Sequence, residues 1–351
     1  MLEELLKNQD IIFSTADNMR KRLMQACERN SDIATYYELG KSEEGRAIDA
    51  VIIGRGDVIV SLIAGAHSDE PVGPETLRTF IIEGLRQRKR LTELFEQYRF
   101  VIVPHINPDG EAQNQAWIRR WPDVSAYIQH AFRELPGRDL EFGYPDMRVE
   151  NRLVSAFLKD HTPISLHLSL HGMGFAEGAM LLIERHWIDK TVELRFHFAE
   201  YARKLGLRLH DHDRGGEKGF TYIAPGFTTT PEGRAMQAHF RALGDAETAH
   251  KFHLSSMEFV RSLGGDPLSL VTELPLFDIP REITAQYTGS PEKYLRFKKK
   301  LPALKLQLAK GESIDATLAE FNIQPLGLAA AIRSQLYVIE LGLQATKLSE
   351  F

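Results

Sequence analysis

Val58-Ile-Val-Ser-Leu-Ile-Ala-Gly-Ala-His67-Ser-Asp-Glu70 is the stretch on which the fold turns. From Val58 to Ala64 it carries no charge, the pattern of a strand covered on both faces. It then delivers an imidazole and a carboxylate three residues apart. In open sheets flanked by helices, ligands bind beyond the carboxyl ends of the strands. His and Glu are zinc ligands, and a catalytic zinc takes three of them, leaving a fourth position for water. His67 and Glu70 therefore read as half of a metal site.

Other strand-like runs end in the same kind of residue. Phe100-Val-Ile-Val103 leads to Pro104-His-Ile-Asn-Pro-Asp-Gly110, Pro163 to Leu170 leads to His171, and Ser269-Leu-Val-Thr272 leads to Glu273. Strands are also expected from Asp32 to Leu39 and from Ile48 to Gly54, with a turn at Gly54-Arg-Gly-Asp57. Residues 11–29 read as an amphipathic helix. Leu77, Phe80, Ile81 and Leu85 recur at helical spacing after a start near Pro74. The fold class expected is α/β, a mixed, mostly parallel central sheet with helices on both faces, plus a helical C-terminal extension.

The chain has 351 residues, 43% hydrophobic and 26% charged, with a net charge of −5. No global basic field points to nucleic acid or an anionic membrane, and no apolar run approaches the roughly 20 residues that span a bilayer. The single cysteine, Cys27, has no internal partner, and the opening Met1-Leu-Glu-Glu-Leu-Leu-Lys has no basic segment followed by an apolar one. A soluble, cytoplasmic protein acting on peptides or small molecules is expected.

His67-Ser-Asp-Glu70, Asn107-Pro-Asp-Gly110, Ser169-Leu-His171 and Thr272-Glu273-Leu274, in this order, resemble the zinc metallocarboxypeptidase family, the carboxypeptidase A-like enzymes, over about residues 35–280. The resemblance implies one Zn²⁺ per chain held by His67, Glu70 and His171, with Glu273 as general base and then proton donor. Apolar Leu270, Val271, Leu274 and Leu276 around Glu273 would desolvate its carboxylate. His167, four residues before His171, shares its strand face; His171 fits the family's Leu-His, and His167 reads as a core histidine. His105 reads as a strand-exit histidine packed under its loop. The family's oxyanion-stabilising arginine follows the Asn-Pro-Asp-Gly loop, so Arg119 is the first choice and Arg120 the second. Asp139 matches the aspartate that orients the first zinc histidine.

One departure is large. Glu141-Phe142 stands where the family has the Asn-Arg pair that grips a substrate's terminal carboxylate, and no tyrosine occurs between Tyr222 and Glu273. Arg138, Arg148 or Arg152 would have to replace the clamp, or Glu141 would meet a cationic or neutral group. Leu209 to Gly219, rich in histidine, glycine and charge, is a lid, a specificity loop or a solvated loop. Residues 1–285 are expected to form the catalytic domain and 286–351 a helical extension that packs on it or supplies a homodimer contact. Leu328, Ile332, Leu336, Ile339 and Leu343 mark its helical stripe. The function expected is hydrolysis of a peptide or related amide by a metal-activated water. The alternatives are a deacylase for N-acyl amino acids and a catalytically weak peptide-binding protein.

Overall fold

The computed structural model describes residues 1–6, 11–282 and 285–348. Its strands are β1 (Ala34–Lys41), β2 (Ala47–Ile53), β3 (Val58–Ala64), β4 (Tyr98–Val103), β5 (Ile164–Ala176), β6 (Met180–Ile183), β7 (Tyr222–Ala224), β8 (Phe227–Thr229), β9 (Leu268–Asp278) and the short β10 (Gln324–Pro325). They form one sheet in the order β1-β2-β4-β3-β5-β9-β6-β8-β7, with β10 on the far end of β9. The run β4-β3-β5-β9 is parallel. The flanks are antiparallel at β1-β2, β2-β4, β6-β9 and β7-β8.

Alternation along β3 explains why it reads as unbroken apolar sequence. Val60, Leu62 and Ala64 enter one core, and Ile59 and Ile63 enter the other. In β4, Phe100 and Ile102 join the first core and Val101 and Val103 the second. The helices Val72–Arg86 and Leu328–Leu348 cover the first face, and Val149–Lys159 and Ser256–Ser262 cover the second. Each fully buried Leu, Ile or Phe in these layers contributes about 1.5–3 kcal/mol of transfer free energy.

The C-terminal helices are packed into this arrangement. Leu328–Leu348 lies against Val72–Arg86, β5 and β9. Its Gln335 donates to the His171 carbonyl at 3.0 Å and to Thr272 Oγ1 at 3.0 Å, and accepts from Thr76 Oγ1 at 2.6 Å. Phe297 of the helix Glu292–Ala309 packs on Phe175 of β5 with ring centroids 4.7 Å apart. None of the helices among the described residues is long and apolar enough to cross a membrane.

The structure moves two expected boundaries. His171 and Glu273 lie within long strands and not at strand ends, because β5 and β9 pair with each other from Leu166 and Leu268 through to Ala176 and Asp278. β3 stops at Ala64 and β4 at Val103, so the β5-β9 ribbon runs on past them. That step in the sheet is the floor of the site.

Candidate active site

Gly65, with φ +76°, releases the chain from β3; a Cβ there would lie 2.5 Å from His105 Nδ1. Only glycine accommodates both the left-handed backbone and this close approach. The turn that follows brings His67 and Glu70 over the exposed step of β5. His171 and Glu273 are register partners on adjacent strands, so their side chains rise from the same face.

The donor atoms of His67, Glu70 and His171 all lie within 4.8 Å of one another. His67 Nδ1 is 3.1 Å from Glu70 Oε1 and 3.1 Å from His171 Nδ1, and His171 Nδ1 is 2.8 Å from Glu70 Oε2. Each imidazole turns its other nitrogen to a carboxylate: His67 Nε2 lies 3.3 Å from Asp139 Oδ1 and His171 Nε2 3.0 Å from Glu141 Oε2. Donating Nε2–H to these acids leaves both Nδ1 lone pairs aimed inward, the carboxylate–histidine arrangement that orients metal-bound imidazoles. Burial disfavours charge on His171, yet the carboxylates of Glu70 and Glu141 push its pKa up to about 9. The donor set and its convergence fit a divalent metal of the zinc type.

Glu273 lines the same cleft, and its Oε2 has no hydrogen-bond partner among the described residues. Burial, and after it the Glu70 carboxylate, raise its pKa to about 8. A cation at the neighbouring ligands would offset that repulsion.

Arg119 and Arg120 are not brought to the cleft. Both are exposed at the end of the helix Pro108–Ile118; Arg119 reaches Gln115 at 3.4 Å and Arg120 pairs with Asp123 at 2.6 Å. The arginine at the site is Arg133. Its Nε pairs with Asp69 at 2.7 Å, one Nη contacts Glu70 and the other lies 3.3 Å from His67 Nδ1; the side chain lines the cleft and is 41% exposed. Asn114 fixes the preceding residue from both sides, donating to the Phe132 carbonyl at 2.9 Å and accepting from its N–H at 2.9 Å. The sequence signal for Arg133 is indirect: Asp69, buried beside a ligand, needs a cation.

Arg138 and Glu141 also differ from expectation. Arg138 is exposed and paired with Glu43, and Arg148 is buried against Glu150 at 2.9 Å; neither lines the cleft, and neither forms a carboxylate clamp. Glu141 lines the cleft, but its carboxylate is engaged within the protein. It is 2% exposed and accepts from Ser256 N at 3.0 Å, Ser256 Oγ at 2.6 Å and Ser169 Oγ at 3.1 Å besides His171. All of its oxygens' capacity is taken, so it acts on His171 as Asp139 does on His67.

The remaining motif residues are structural. Asn107 caps the helix Pro108–Ile118, accepting from Gly110 N at 3.0 Å, and such a cap contributes about 1 kcal/mol. His105 accepts from Asn107 N at 3.1 Å, and His167 lies between Ser61 and Ser256 at 3.1 and 3.3 Å. Burial lowers both histidines to about 4.

The cleft has a volume of about 850 Å³. Met173, Phe175, Leu182, Phe220 and Val271 supply apolar wall, and Arg214, Lys218, Lys298 and Lys305 also line it. Thus the 209–219 loop and the helix Glu292–Ala309 both contribute.

Residues 19–177 match the family model described as zinc carboxypeptidase. Zinc carboxypeptidase A 1 of Drosophila melanogaster is 29% identical over 143 residues, 38% of this chain and 33% of that protein. A protein named inactive metallocarboxypeptidase ECM14, from Arthroderma gypseum, is 29% identical over 129 residues, 32% of this chain and 21% of that protein. The chain thus spans a third or less of the length of these two relatives. A metallo-carboxypeptidase from Burkholderia cenocepacia shares the fold, with a TM-score of 0.52 and 14% identity over 94% of this chain and 70% of that one. The family match ends before β9, so Glu273 and the basic wall lie beyond it.

Proposed function

We propose, from a chain whose residues 19–177 belong to the zinc carboxypeptidase family, that it hydrolyses a peptide or related amide at one zinc held by His67, Glu70 and His171. The observation that carries this reading is the placement of Glu273, with an unpartnered carboxylate oxygen, in one cleft with three convergent donors whose outer nitrogens are already committed to Asp139 and Glu141. When bound, the metal supplies Lewis acidity and lowers the pKa of a coordinated water.

The protein's own groups do the rest. Glu273 accepts the proton of the attacking water and returns it to the leaving amine; its apolar surroundings keep bulk water from competing for that proton. Arg133 presents a fixed guanidinium to the oxygen on which negative charge develops, held in place by Asp69 and by the Asn114 clamp on Phe132. Asp139 and Glu141 keep each imidazole in the Nδ1-liganding tautomer.

Zinc content of the dialysed wild-type protein, His67→Ala and His171→Ala, measured with free-amine release from a peptide and N-acyl amino acid panel, tests the reading. Wild type should retain one zinc and release amine, and both variants should lose both. A wild-type protein that binds no zinc when supplied with it would refute the assignment.

A further inference from the structure

The cations on the cleft wall are a built feature of the chain's own making. Tyr294, Lys298, Leu301 and Lys305 follow one another at helical spacing on the helix Glu292–Ala309, and all four line the cleft. Phe297, on the adjoining face, anchors that helix through Phe175 and Phe321, with centroids 4.7 and 5.2 Å away. On the 209–219 loop, Arg214 stacks on Phe220 at 4.5 Å, and Phe220 packs against the cluster of Met180, Leu182, Met257 and Val271, with Met173 beside it. Met173 and Val271 each stand two residues from His171 and Glu273 on their own strands. The cations therefore border the same space as the metal ligands and not a separate surface.

These cations lack carboxylate partners. Arg214, Lys298 and Lys305 make no ion pair among the described residues, and Lys218 meets only the exposed Glu217, at 3.9 Å. The acids lining the cleft, Glu70, Asp139, Glu141 and Glu273, belong to the metal site. Asp213 accepts from Gly215 N at 2.8 Å, and Glu177 pairs with Arg281 at 3.3 Å. After burial, the charges of Arg214 and Lys298 are further causes that lower His210 and His212, consistent with a positive field there. In a chain of net charge −5, such a convergence in an apolar-walled cleft focuses potential toward an anion.

We infer that the cleft selects amide substrates bearing an added carboxylate on a group flanking the scissile bond, seated by Arg214, Lys298, Lys305 and Lys218. The inference rests on the proposed amide-hydrolase reading and supplies it with a substrate class. It also places substrate recognition on the 209–219 loop and the C-terminal helix, where Glu141-Phe142 supplies none.

Binding read without turnover separates this inference from that reading. Zinc-loaded Glu273→Gln protein is titrated calorimetrically with benzoyl-Gly-Glu, benzoyl-Gly-Gln and benzoyl-Gly-Lys, and with succinyl-Gly-Gln, which moves the carboxylate to the acyl side. At least one anionic probe should bind about tenfold tighter than benzoyl-Gly-Gln, and benzoyl-Gly-Lys weaker still. Adding Arg214→Glu and Lys298→Glu should reverse the order; the milder Arg214→Gln with Lys298→Gln should level it. Equal affinities for the charged and neutral probes, or an order unmoved by both pairs of substitutions, would overturn the inference, whatever the wild-type protein hydrolyses.

Discussion

Replacing Glu141 by glutamine changes one atom, yet the structure assigns it a large effect. Its Oε1 accepts from Ser256 N and Oγ at 3.0 and 2.6 Å, and its Oε2 from Ser169 Oγ and His171 Nε2 at 3.1 and 3.0 Å. A glutamine amide must point its NH₂ at one of these pairs of donors. Pointed at Ser256, it leaves a buried backbone N–H without an acceptor, at a cost of about 1–3 kcal/mol. Pointed at His171, it favours the tautomer with the proton on Nδ1, which masks the lone pair aimed at the metal. Loss of such an orienting carboxylate typically weakens metal affinity 10–100-fold, or about 1.4–2.7 kcal/mol. Removal of a buried charge returns part of the folding cost, so metal affinity should fall more clearly than stability. Competition with a chromogenic chelator gives the affinity, and urea denaturation with chelator present gives the stability of the chain alone. Zinc affinity within twofold of wild type in a folded Glu141→Gln protein would mean that Glu141 does not orient His171.

Arg133→Ala should lower kcat/KM by about 10²–10³ with zinc content retained, whereas the exposed Arg119→Ala and Arg120→Ala should stay near wild type; the reverse pattern in steady-state kinetics would return the role to the earlier pair. Gln335→Leu leaves the His171 carbonyl and the Thr76 and Thr272 hydroxyls without this partner, and should cost about 2–4 kcal/mol in urea denaturation; an unchanged midpoint would contradict the packing described. His105 is held neutral by burial, with its pKa lowered to about 4. Its folded value lies below the unfolded one, so the stability it allows is complete above pH ~6.5 and lost as pH falls toward about 4. Because Glu273 and Asp278, raised to about 8 and about 6, act in the opposite sense, the measurement is a difference: between pH 7 and 5 wild type should lose on the order of 2 kcal/mol relative to His105→Gln, and parallel curves would refute it.

The parts of this fold legible in the sequence were those written in local periodicity. β3 and β4 are uncharged or nearly so because each feeds two cores, and the stripe from Leu328 to Leu343 folds as a helix. His67, Glu70, His171, Glu273 and Asp139 stood out because their neighbours in sequence are strand or motif residues. Arg133 did not, since its position is set by the Asn114 clamp and by Asp69, 64 residues away. The hydrogen-bond partners of Glu141 are hidden for a related reason. Two residues beyond Asp139, it looked like a replaced substrate clamp, and only the tertiary approach of Ser169, His171 and Ser256 shows its four hydrogen bonds. The β5-β9 pairing that carries His171 and Glu273 past the ends of β3 and β4 is likewise a property of two strands and of neither alone. The placement of Lys298 and Lys305 on the cleft depends on Phe297 docking their helix against Phe175, a contact between distant parts of the chain.

If Glu273 acts on water at a metal held by its neighbours, its removal should stop the chemistry and spare the metal. The direct measurement is amine release by wild type and Glu273→Gln, each assayed on a substrate that wild type cleaves, with zinc determined on the same samples. Both should hold one zinc per chain, with a rate lowered by about 10²–10⁴ in the variant. Equal rates at equal zinc content would contradict it.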